Sequence, residues 1–74
     1  MHKVTDLRLG ESLNIAKGKE RIVWRKIPNP QGTSMFRRYH YIAFKIHNIM
    51  DNKKLGTSED DELRFRLDTG WKRI

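Results

Sequence analysis

"FRRYHYIAFKIHNIM", Phe36 to Met50, packs aromatic, basic and aliphatic residues into one stretch, and its reading decides the fold. At helical spacing Met35, Tyr39, Ile42, Ile46 and Ile49 step by four, three, four and three. Phe36, Ala43 and Met50 widen the same stripe. That is the pattern of a helix packed on one face. Thr33 or Ser34 suits its start, and Gly56 permits the left-handed residue that often ends a helix. As a strand, the stretch puts Ile42, Phe44 and Ile46 on one face but adds Arg38 and His40 to it. Periodicity accounts for more of the apolar residues than alternation does, so the helix is the expectation. The high strand propensity of the tyrosines, isoleucines and Phe44 keeps the strand as its rival.

Upstream, "KVTDLRLG" alternates Thr5, Leu7 and Leu9 against Asp6 and Arg8, which predicts a half-buried strand ending at Gly10. "SLNIAKGKERIVWRKI" reads as a hairpin turning near Gly18. Leu13 and Ile15 share one face of its first strand. In its second strand Ile22 and Trp24 face one way, and Arg21, Val23, Arg25 and Ile27 the other. Trp24 is expected in the core. "PNPQG" stops the strand, because Pro28 and Pro30 lack an N–H and hold the preceding residues extended. Downstream, "DNKKLGTSEDD" is polar and turn-rich. "ELRFRLD" then alternates Leu63, Phe65 and Leu67 inward, which predicts another strand. "WKRI" supplies a short final strand or a tail, with Trp71 at the core edge. The predicted class is α+β, a small antiparallel sheet packed by one amphipathic helix. A small all-β barrel is the alternative if residues 36–47 are extended.

The chain has 74 residues, which make a single small basic domain with a thin core; such a chain buries only about 60% of its extended surface. It has no cysteine, so neither a disulfide nor a zinc–thiolate site reinforces it. A homodimer or another partner is one way to add burial. The charged start "MHKVTDLRLGE" does not resemble a signal peptide, and no apolar run approaches the roughly 20 residues that span a bilayer. A cytoplasmic protein with no membrane partner is expected.

The formal net charge is +7. Residues 1–50 hold ten lysines and arginines against three acids, and residues 51–74 hold six against six, so all of the excess precedes Asp51. Charge gathered in this way focuses a positive field, and DNA or RNA is the natural partner. The candidate nucleic-acid-binding residues are Lys17, Lys19, Arg21 and Arg25 in the hairpin, and Arg37, Arg38, Tyr41, Phe44 and Lys45 in the decisive stretch. Cationic groups meet phosphates, and rings stack on unpaired bases. In the strand reading, Arg37, Tyr39, Tyr41 and Lys45 form a sheet-face platform instead.

The same basic turn and helix surface also serve solubility, and "SEDDE" opposes them as a solvated loop. Catalysis has little support. His47 and Asp51 stand four apart without a third ligand, so no metal is expected, and no phosphate-loop motif or cofactor signature occurs. The sequence therefore predicts a non-enzymatic nucleic-acid-binding domain. The alternative is a protein-interaction or inhibitory module that docks an acidic protein partner, since Tyr, Phe, Trp and Arg also serve as interface anchors.

Overall fold

A computed structural model describes residues 3–28, 32, 34–43, 45–49 and 57–74. The chain forms a small α+β fold in which one helix packs against an open antiparallel sheet of five strands. Strands β1 (Ser12–Lys17), β2 (Glu20–Pro28), β3 (Ser34–Ile42) and β4 (Lys45–Ile49) follow one another as a meander. Helix α1 (Thr57–Asp68) then carries the chain back across one face, and β5 (Lys72–Arg73) pairs with β1 at the far edge. The spatial order is β4-β3-β2-β1-β5, so the sheet does not close into a barrel.

The hairpin expected in residues 12–27 forms, with Leu13 opposite Trp24 and Ile15 opposite Ile22. These four residues are buried under α1 together with Phe36, Leu63 and Trp71. Trp24 is fully enclosed, as its place on the apolar face of β2 implies.

Three elements differ from the sequence reading. The decisive stretch is extended: β3 pairs with β2 over nine consecutive positions, from Glu20 opposite Ile42 to Pro28 opposite Ser34. The objection to a strand was that Arg38 and His40 would join the apolar face. They do join it, and each meets a carboxylate there. The Arg38 guanidinium lies 3.7 Å from Glu59 and 3.4 Å from Glu62, and His40 Nε2 lies 2.9 Å from Glu20 Oε1. The His40 ring also meets the Trp71 ring edge-on at 6.0 Å. Inward-pointing charge is tolerated because its partners come from other elements.

The helix lies instead where a strand was expected. Glu59, Leu63 and Leu67 recur every four residues on the side facing the sheet, and Phe65, the middle of the apparent alternation, is 62% exposed. Acids fill the first turn, where the helix dipole favours them. At the other end Gly70 takes a φ of +103°, and the Trp71 N–H bonds the Arg66 carbonyl at 3.1 Å. That six-to-one bond over a left-handed glycine is a Schellman stop.

The strand expected at residues 3–10 is also absent. A 3-10 turn over Val4–Asp6 replaces it and buries Val4 and Leu7 on one side. Asp60 holds this turn to α1 by accepting from both the N–H and the hydroxyl of Thr5, at 3.2 and 2.8 Å. The "EDDE" run is thus part of a helix rather than a solvated loop, and three of its four acids have partners.

Candidate functional site

Alternation along β1–β4 divides the sheet into a face covered by α1 and a face over which, among the described residues, no helix packs. The register aligns the residues of the uncovered face in rows across the strands. One row runs Lys72, Ala16, Arg21, Tyr41 and Ile46 from β5 to β4. The next contains Asn14, Val23 and Tyr39, and the third contains Ser12, Arg25 and Arg37. Beyond these, Ile27 faces Met35. Four cations and two tyrosines therefore share one surface. Among the described residues no Asp or Glu occupies these rows.

The aromatic and cationic groups are in contact. Arg21 Cζ sits 5.7 Å from the centre of the Tyr41 ring, directly across the β2–β3 pair. Arg37 Cζ is 6.0 Å from the centre of the Tyr39 ring, and its Nη1 donates a long 3.4 Å hydrogen bond to the Tyr39 hydroxyl. The ring centroids of Tyr39 and Tyr41 lie 6.4 Å apart, tilted by 37°. Both tyrosines are half-buried. Each cation–π contact on such a surface contributes about 0.5–1 kcal/mol, enough to bias the side chains without fixing them.

The acids lie elsewhere. Glu59, Asp60 and Glu62 on α1 contact Trp24, Thr5, Arg38 and Arg66, and Glu20 turns to His40 on the covered side. The uncovered rows thus carry cations without acids, whereas the covered side mixes Lys17, Arg38 and Lys45 with Glu20 and the acids of α1. A cleft of about 580 Å³ opens beside Tyr41, lined also by Ala16, Gly18, Lys19, Glu20, Arg21 and Ile74.

The sequence-predicted site residues separate on this frame. Arg21, Arg25, Arg37 and Tyr41 come together on the uncovered face, and Lys19 stands in the β1–β2 turn at the rim of the cleft. Lys17 belongs to the covered face and donates to the Thr69 carbonyl at 2.9 Å. Arg38 is on that face as well, between Glu59 and Glu62. Lys45 pairs with Ile42, which assigns it to the covered side by register and separates it from the tyrosines. Phe44 lies outside the described residues.

The helical reading placed Tyr39 on a buried stripe and so missed it as a surface ring. Strand alternation with Arg37 and Tyr41 was the signal for it. Lys72 joins through β5, a pairing that no local pattern reveals. Among the described residues no group of three or more His, Asp or Glu side chains is placed to hold a metal ion. Asp51, the proposed companion of His47, lies outside them. Among the described residues no helix is long and apolar enough to cross a membrane.

No family model, curated protein or solved structure matches the chain.

Proposed function

We propose that this chain is a non-enzymatic nucleic-acid-binding domain and that the uncovered sheet face is its interface. One observation carries the reading. Arg21, Arg25, Arg37 and Lys72 share that face with Tyr39 and Tyr41, and the acids of α1 and β2 point to the other side. Guanidinium and ammonium groups neutralise phosphates and release condensed counterions, so affinity should fall as salt rises. Fluorescence anisotropy with labelled DNA and RNA between about 50 and 200 mM salt tests this. The expected slope of log K against log salt is about −0.7 to −0.9 per phosphate contacted. Arg25→Ala should reduce that slope by about one. Absence of any complex at low salt, or binding indifferent to salt, would overturn the reading.

A protein-interaction module that docks an acidic partner is the second reading. It is favoured by Ile46, 48% exposed in the same row as Tyr41, and by Val23, Ile27 and Met35 on the same face. Aliphatic and aromatic residues flanked by arginine suit protein interfaces. Nuclease digestion separates the two readings: a protein retained after treatment supports the second, and loss of every bound species supports the first.

A further inference from the structure

We infer that the ligand of this face is a single-stranded nucleic acid, with bases stacked on Tyr39 and Tyr41 and one base seated in the cleft between Tyr41 and Ile74. This rests on the nucleic-acid reading above and narrows it.

The argument starts from what each form of nucleic acid offers. A duplex presents phosphates and base edges, while its base faces are stacked on one another. Two half-exposed rings on a sheet have nothing to stack on in a duplex. An unpaired strand offers a π-face at every nucleotide. Tyr39 and Tyr41 are two residues apart on β3, with centroids 6.4 Å apart. That is nearly twice the roughly 3.4 Å rise between stacked bases, so the rings suit successive bases that have been drawn apart. A guanidinium lies over each ring, Arg37 over Tyr39 and Arg21 over Tyr41. A base that displaces it and settles on the ring brings its own phosphate to that same cation.

The cleft extends this line past Tyr41. Its volume of about 580 Å³ lies in the range of small-ligand sites. Ala16 has only a methyl side chain, Tyr41 and Ile74 supply aromatic and aliphatic surface, and Lys19 and Arg21 bring positive charge to the opening. Glu20 is the one acid in the lining, and its Oε1 is bound to His40 Nε2 at 2.9 Å. The site thus offers apolar surface for a planar ring, with cations available for phosphate.

The test compares labelled single strands of about 12 nucleotides, DNA and RNA, with a duplex of the same length. The full chain and its Tyr41→Ala, Tyr41→Phe, Ala16→Leu and Arg25→Ala variants are titrated at matched salt. Single strands should bind at least about tenfold more tightly than the duplex at equal salt. Tyr41→Ala should weaken single-strand binding about 5- to 150-fold, the range for loss of one stacked base, and Tyr41→Phe should restore it. Ala16→Leu, which fills the cleft, should weaken single-strand binding and leave the salt slope unchanged. Thermal melts confirm that each variant is folded. A duplex bound as tightly as the single strand would overturn the inference, and so would Tyr41→Ala and Ala16→Leu variants that bind normally. If Arg25→Ala still weakens binding in those cases, the basic face remains an interface for phosphates alone. If the unaltered chain binds neither strand nor duplex, both readings fall.

Discussion

Glu59 is a carboxylate at 4% exposure in a domain whose core has few residues to spare. Isolated, it would be costly to bury. It accepts a 2.7 Å hydrogen bond from the Trp24 indole N–H and faces the Arg38 guanidinium at 3.7 Å, so its charge is both paired and hydrogen-bonded. The three groups join α1, β2 and β3 at one point. Glu59→Ala leaves the indole N–H without its acceptor and Arg38 with Glu62 alone, and should destabilise the fold by about 2–4 kcal/mol. Glu59→Gln keeps an acceptor and should lose about 1–2 kcal/mol. Denaturant unfolding followed by tryptophan fluorescence measures both; equal losses would mean that shape, not the polar contact, is what matters. Ala43 poses the opposite problem. It turns the chain between β3 and β4 with a φ of +52°, a conformation that costs a residue with a Cβ roughly 1–2 kcal/mol. Glycine has no such penalty there, although it gains more freedom in the unfolded chain. Ala43→Gly should therefore raise stability by about 0.5–1 kcal/mol, read as an upward shift in melting temperature.

At the scale of the element, α1 is defined by which of its apolar residues are inside. Leu63 is buried against the sheet, and Phe65 is exposed. Leu63→Ala should cost about 2–5 kcal/mol, as truncations in a packed core do, while Phe65→Ala should stay within about 0.5 kcal/mol. A strand with Leu63, Phe65 and Leu67 inward would make Phe65 the costlier loss, so chemical denaturation of the two variants distinguishes the arrangements directly. The start and stop of this helix were legible: Thr57 and Ser58 precede acids by three residues, and Gly70 follows the last turn. The alternation of "ELRFRLD" obscured them, because leucines four apart fit both periods. The hairpin was legible because its two strands bury one face each and turn at a glycine. The strand character of β3 was hidden for a different reason. Arg38 and His40 look misplaced on an inner face until Glu59, Glu62 and Glu20 are brought to them. Partners some 20 residues away leave no trace in local periodicity. Tyr39 was legible in the alternation with Arg37 and Tyr41, whereas Lys72 entered the candidate site only through the pairing of β5 with β1, which alternation in one segment cannot supply.

At the scale of the whole molecule, the uncovered rows gather cations without acids, and this has a cost in the free protein. The β2–β3 register sets Arg25 directly opposite Arg37, with Arg21 two rows away. Like charges facing each other across an antiparallel pair are destabilising by a few tenths of a kcal/mol to about 1 kcal/mol. Selection for stability alone would favour a β-branched residue at position 25. Arg25→Thr should accordingly stabilise the unliganded domain by about 0.2–1 kcal/mol, a rise of up to several degrees in melting temperature for a chain this short. The gain should shrink in high salt, where screening already weakens the repulsion. On the proposed nucleic-acid reading, the same substitution should weaken binding and lower its salt slope by about one. Stability and affinity thus move in opposite directions at a single residue, as expected where a surface holds charge for a ligand rather than for the fold. Calorimetry at two salt concentrations, run beside the anisotropy titration, measures both. A variant that melts earlier than the parent would show Arg25 to be an asset to the fold, and one that binds unchanged would remove it from the interface.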